Sequence, residues 1–288
     1  MRLVVIAALV AALAGAAAAA PVTVGVYAPS TPFDGTAARL DFANKLAAHL
    51  AGADGVGRVY GKASDFAAAL AKGDVQLAVV DAEFLATTGA PHTALAVAVR
   101  DGDTAAPWQL VARGAAGILE LRGKTVLVPI TDGRHAAFVD NALRGGELAA
   151  GFWKIEPSPD ALSAVAAVGL GKADAAVVPS GVALPAGVTR VATLPSVSWP
   201  VLIAAKDAPP AVVAAARERA ASFGGGGAIT GFRTSGVDGY KGLARRMKKA
   251  LRQAPLIVPN LRITVGELVT GRTFRVEPPP VAGYFAPP

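Results

Sequence analysis

The residues able to do chemistry are few, and their spacing removes most reactions. The 288-residue chain contains no cysteine, which excludes thiol catalysis, thiolate metal sites and disulfides. Its histidines, His49, His92 and His135, stand far apart, and none has a partner at metal-ligand spacing. A serine nucleophile on a strand-to-helix elbow needs G-x-S-x-G, and none occurs. Gly123-Lys124-Thr125 looks like the end of a phosphate-binding loop. The upstream Gly117 is one residue too far away, however, and the tripeptide precedes its strand instead of following one. No catalytic residue, metal or cofactor is expected. What remains is binding chemistry: hydroxyls, carboxylates and one arginine.

That chemistry centres on residues 121–138, LRGKTVLVPITDGRHAAF. Residues 125–130 form a continuous apolar run, the pattern of a strand covered on both faces. A short loop and a helix start follow, where backbone N–H groups point outward toward a ligand. Thr131 or Asp132 can cap this helix, and Gly133 lets backbone or ligand come close. Arg134 sets a guanidinium where the helix dipole is already positive, unless it is a solvent-facing first-turn arginine. His135 lies one turn into the same helix. Ser30 and Thr31 sit at the end of the first strand, where hydroxyls hold an oxyanion or cap the next helix. Asp81 and Ser180 follow two AVV strands and face one cleft, or are turn residues. Trp108 and Trp199 are core residues or a cleft lid.

The elements that must position these residues alternate. Residues 22–27 (VTVGVY) form a strand, 28–35 a Pro/Ser/Thr loop, and 36–50 a helix with Leu40, Ala43, Leu46, Ala47 and Leu50 on one face. A strand at 56–60 follows, then a helix at 65–71 capped by Ser64 and stopped by Gly73, then a strand at 76–80. This βαβαβ order belongs to a doubly wound α/β sheet. It then returns. Gly73/Gly171, Gln76/Asp174 and the two Ala-Val-Val triplets share one offset, so two lobes of one architecture are expected. Residues 92–100 and 108–114 are expected to cross from one lobe to the other, and 189–194 and 199–205 to return.

These segments resemble a known family. VGVYAPSTPF, LAKGDVQLAVVDAEFLA, LRGKTVLVP, GLGKADAAVVPSG and SWPVLIAAKDAPP are similar to the type 2 periplasmic solute-binding proteins, nearest the phosphonate-binding branch that serves ABC transporters. The resemblance covers about residues 20–235. It implies an α/β fold of two Rossmann-like doubly wound lobes joined by two crossover strands, lobe 1 at 20–98 plus 204–252 and lobe 2 at 99–203. It also implies a small, anionic, phosphonate- or phosphate-like solute in the cleft, hinge closure, an ABC permease as partner, and a monomer. Of the Ser/Thr-Ser-Gly turn at the second-lobe helix, only Thr131 and Gly133 are kept. The first-lobe acidic residue is Gln76 here, whereas the second lobe keeps Asp174. A second reading keeps the fold but makes the protein a sensory or protein-interaction component with a degenerate cleft and the basic helix from Tyr240 to Arg252 as its docking surface.

Composition sets the remaining bounds. Met1-Arg2, an Ala/Leu/Val run and small residues at 17–20 have the three parts of an export signal, with cleavage expected after Ala19 and a periplasmic mature chain. The formal net charge is +7. Residues 217–275 carry a net +9, so the rest is slightly acidic. No nucleic-acid motif accompanies this charge, and no nucleic-acid partner is expected. Much of it lies in the stretch from Tyr240 to Arg252 (YKGLARRMKKALR), a basic amphipathic helix. Its apolar positions Tyr240, Leu243, Met247 and Leu251 are expected to pack on lobe 1 with the basic face solvated, or that face docks an acidic partner. The Pro-rich 253–288 segment cannot continue a helix.

Overall fold

The computed structural model describes residues 21–248 except Thr131 and Ala150. The expected export signal, the end of the basic stretch and the Pro-rich tail lie outside the described residues. Two sheets organise the chain. In the first, β2 (Gly55–Val59), β1 (Val22–Tyr27) and β3 (Leu77–Val80) run parallel, followed by antiparallel β10 (Val201–Ala205), β4 (His92–Val99) and the edge strand β11 (Gly231–Arg233). In the second, β7 (Lys154–Pro157), β6 (Thr125–Val128) and β8 (Ala175–Pro179) run parallel, followed by antiparallel β5 (Ala105–Arg113) and β9 (Val188–Ser198). Each sheet therefore holds a parallel triplet whose third strand pairs with a strand of opposite direction, β10 in the first sheet and β5 in the second. The expected fold class is the one observed.

The offset seen in the sequence has a physical cause. Gln76 Oε1 accepts the N–H of Thr23 at 2.8 Å, and Thr23 O accepts the Gln76 N–H at 3.2 Å. Asp174 Oδ2 accepts the N–H of Thr125 at 2.9 Å, and Thr125 O accepts the Asp174 N–H at 3.2 Å. In each lobe, one side chain just before the third strand of the triplet clamps the start of the central one. An amide and a carboxylate both accept one N–H, so Gln76 can stand where lobe 2 has an acid. The glycines before them, Gly73 and Gly171, have φ of +73° and +70° and stop their helices.

Three helices cover the first sheet: α1 (Thr36–Ala51), α2 (Ala63–Ala71) and, with α3 (Ala82–Thr87), the end of β3. The phase of α1 differs from expectation. Arg39, Phe42, Ala43, Leu46, Ala47 and Leu50 are buried, and Leu40 is 44 % exposed. The stripe at i, i+3, i+4 runs through Arg39, which places Leu40 on the solvent side. Ser64 is likewise not a cap. It lies inside α2, and its hydroxyl donates to Asp65 Oδ1 at 3.2 Å.

In the second lobe, α4 (His135–Ala137) passes directly into a π-helical turn, Phe138–Leu143, and α5 (Ala161–Gly169) covers the sheet. The wider turn is closed by Arg144 N–H to Val139 O at 3.0 Å. It buries Phe138, Val139, Ala142 and Leu143 together.

The passages between lobes run side by side. Trp199 N–H donates to Thr104 O at 2.9 Å and Ala98 N–H to Pro200 O at 2.7 Å. Because β10 already belongs to the first sheet, the return falls at Trp199-Pro200 instead of near residue 203. Two further helices follow, α6 (Pro210–Ala220) and α7 (Gly239–Lys248).

The basic helix corrects an expectation. Tyr240, Leu243 and Met247 of α7 are buried, but against both lobes. On lobe 1 they meet α3, and His92 Nε2 lies 3.1 Å from the Tyr240 hydroxyl. On lobe 2, Asn141 Nδ2 donates to Met247 O at 3.0 Å and Arg246 Nη1 to Ala142 O at 3.3 Å. Arg246 thus leaves the solvated face.

Close backbone approach fixes the other edge. A Cβ on Gly57 of β2 would lie 2.5 Å from the Ala43 carbonyl carbon and the Asn44 nitrogen of α1. Backbone cannot move aside as a side chain can. Gly57→Ala should therefore destabilise the protein by about 1–3 kcal/mol, read from urea unfolding. Gly61→Ala, with open space around it, should change little.

Candidate ligand site between the two lobes

The first strand ends beneath a loop whose polar groups are already used. Asp81 follows β3 and is 1 % exposed. Its carboxylate does not cap α3, the helix it precedes. It reaches across instead, where Oδ2 accepts the Ser30 N–H at 2.7 Å and Oδ1 the Thr31 hydroxyl at 3.5 Å. Three of the expected site residues are thus together. The donors that could hold an oxyanion hold a carboxylate of the chain itself.

Two charged residues around them were not singled out from the sequence. Glu83, on the first turn of α3, is 3 % exposed and lies close enough to Asp81 and Asp132 to feel both charges. Arg39 heads the buried stripe of α1 at 6 % exposure, with its guanidinium carbon 5.8 Å from the Phe33 ring centre. Its Nε has no hydrogen-bond partner, and its Nη2 lies 3.9 Å from Asp160 Oδ2. Asp160 caps α5 of the other lobe by accepting the Ser163 N–H at 2.7 Å. Beside it, Ala161 N–H donates to Pro29 O at 3.1 Å. These contacts join the first loop of lobe 1 to a helix start of lobe 2. The signal for Arg39 was present in its spacing to Phe42 and Ala43. Glu83 had none, because its burial depends on the other lobe.

Asp132 and Arg134 lie at the open part of the junction. A pocket of about 420 Å³ is lined by Lys62 and Ser64 of the α2 start, Thr87 and Thr88 at the end of α3, and Asp132 and Arg134 from lobe 2. Asp132 Oδ1 accepts the Arg134 N–H at 2.9 Å, and Thr87 donates its hydroxyl to Asp132 Oδ2 at 3.5 Å. The carboxylate ties the loop down without capping α4, whose start has no side-chain cap. The start of α2 also has none, so its first N–H groups face the pocket region without helix partners. Lys62, Arg134 and this helix end make a positive lining around Asp132. Asp65, on the first turn of α2, and buried Glu83 are further acids nearby.

The remaining expected residues separate. Thr131 lies outside the described residues. Gly133 has φ +78° and is exposed, as a sharp turn requires. His135 is half-buried with Nδ1 unpartnered. Ser180 belongs to the crossover, its N–H donating to Pro107 O at 2.8 Å, away from Ser30 and Asp81 bonding. Trp108 and Trp199 are core residues; Trp108 packs edge-on against Phe138 with ring centres 4.8 Å apart.

Burial lifts Asp81 from 3.8 to about 6, although hydrogen bonds from Ser30 and the Arg39 charge oppose the rise. Burial and the Asp81 charge push Glu83 well above the carboxylate range. The folded state therefore holds more protons than the unfolded one between about pH 4 and pH 6, and stability falls as pH rises through that window. The slope approaches about 1.4 kcal/mol per pH unit for one proton. Asp81→Asn should flatten this part of the curve, measured by urea unfolding from pH 4 to pH 7 against the parent.

Among the described residues no helix is long and apolar enough to cross a membrane. No protein-family model matches the chain, and no curated protein matches it. Solved structures do. XAC2383 from Xanthomonas citri, bound to chloride, aligns at TM-score 0.61 and 14% identity over 78% of this chain and 96% of its own. PhnD1 from Prochlorococcus marinus, in complex with methylphosphonate, aligns at 0.60 and 13% over 78% and 96%. A binding protein component of an ABC phosphonate transporter from Pseudomonas aeruginosa aligns at 0.59 and 13% over 78% and 84%. All three are similar across both lobes. The chain has the fold of the type 2 periplasmic solute-binding proteins.

Proposed function

We propose that this protein is an exported solute-binding protein that captures a small solute through an anionic, phosphonate- or phosphate-like group and delivers it to an ABC permease. The observation that carries the reading is the interlobe pocket of about 420 Å³, with Lys62 and Arg134 on opposite lobes and the uncapped start of α2 between them. An anion there draws both lobes onto itself, so binding and closure are one event. No bond is made or broken. The ligand group is accommodated beside Asp132, which opposes it, so affinity is modest. Residues 1–19 act as the export signal in this reading, and mass analysis of protein from the exporting host should show a chain beginning at Ala20.

The second reading, a binding fold used for sensing or protein contact, draws on a specific observation. Ser30 and Thr31 are occupied by Asp81, and an apolar cluster runs from Tyr27 and Phe84 through Phe138 to Leu243 across the junction.

Calorimetric titration with methylphosphonate and inorganic phosphate separates the two. Under the first reading, Arg134→Ala and Lys62→Ala each weaken binding ten- to a hundredfold, about 1.4–2.8 kcal/mol. Asp132→Asn strengthens it. Absence of heat with either anion, or an unchanged affinity in both cation variants, would favour the second reading. A zwitterion or cation that binds worse to Asp132→Asn and equally to Arg134→Ala would reverse the ligand's charge.

A further inference from the structure

A second cavity, of about 450 Å³, opens where the π-helical turn, β9 and α7 meet. Its apolar wall includes Ile118, Leu143 and Leu194, and its polar wall carries Arg144, Arg246 and one acid, Glu147. The Arg144 side chain is 6 % exposed, yet its Nε has no partner. Its Nη2 reaches only the Glu147 carboxylate, at 3.9 Å, and Glu147 is 80 % exposed. Trp153 covers one face of the guanidinium, with its ring centre 4.9 Å away.

Arg246 comes from α7. Its Nη1 and Nη2 donate to Ala142 O and Ser196 O, at 3.3 and 3.5 Å. Neutral carbonyls hold its position and leave its charge uncompensated, and it forms no ion pair among the described residues. Half-buried Asp140 and exposed Glu147 are the acids that face Arg144. Burial pulls both guanidiniums below their ordinary range. Two desolvated cations beside an open, half-apolar cavity are an arrangement that a bound anion completes.

We infer that this cavity is a binding site for a short-chain carboxylate. The carboxylate meets the planar guanidinium of Arg144 where it lines the cavity, Arg246 supplies the second positive charge, and the alkyl part lies against Ile118 and Leu194. A planar guanidinium edge suits a two-oxygen planar group, and the apolar wall excludes a bare, fully hydrated ion. Since Arg246 rides on α7, an occupied site fastens that helix to lobe 2.

Calorimetry with butyrate, set against 1-butanol and 1-butylamine, tests the assignment. Butyrate should bind saturably, and the neutral and cationic analogues should not. Arg144→Lys keeps the charge and loses the planar guanidinium, so affinity should fall about tenfold or more. Arg246→Gln should lower it severalfold. If Arg144→Lys fails to fold by circular dichroism, Arg246→Gln carries the test. Arg134→Ala, in the interlobe pocket, should leave butyrate binding intact. Butyrate that fails to bind, binds no better than butanol, keeps its affinity in Arg246→Gln, or is lost in Arg134→Ala would overturn the proposal.

Discussion

Two separately covered sheets share one chain, and the constraint on everything else is how that chain passes between them. The passages pair with each other: β5 and β9 continue their antiparallel ladder to Ala105 opposite Ser198, and Trp199 and Thr104 extend it. Backbone bonds across the junction fix the angle at which the strand ends of one sheet face those of the other. Glu83 with Asp132, and Lys62 with Arg134, meet only because that angle is set. Two further contacts then complete the junction, the Arg39 side chain with Asp160 and the Ala161 N–H donating to Pro29 O. Each of these alone is worth about 1 kcal/mol or less against water. The ladder is the cooperative part.

The acids at the junction show how a fold can be kept while its site changes. A buried carboxylate is costly unless hydrogen-bonded, and Asp81 meets that condition by taking donors from Ser30 and Thr31. Glu83 adds a second buried acid with a displaced proton affinity. The consequence is local: the deep part of the junction is self-satisfied, and open volume shifts outward to Lys62 and Arg134.

Much of the architecture was legible in the sequence because it rests on local rules. Apolar runs, the positive-φ glycines at 73 and 171, and the matched Gln76 and Asp174 are read from neighbours in the chain. Pairings at long separation were not legible. Ser30 and Asp81 are 51 residues apart, and both were expected at the cleft, but nothing in either segment says that one would consume the other. The α1 face was misread because Leu40 is more apolar than Arg39, and composition outweighed spacing. Ser64 satisfied a capping rule that the α2 start, two residues earlier than expected, did not need. The Lys62–Ser64 lining of the pocket escaped notice because it depends on where α2 begins relative to lobe 2.

The placement of α7 has a kinetic consequence. A helix that touches His92 of β4 through Tyr240 and the π-helical turn through Met247 bridges the line along which the lobes would part. Under the proposed solute-binding role, any opening wide enough to admit solute must first release one of those ends. The arrival rate of solute then carries, as a multiplying factor, the fraction of molecules in which the helix has let go. In the proposed solute-binding role, uptake and release of cargo would then both be paced by detachment of that helix.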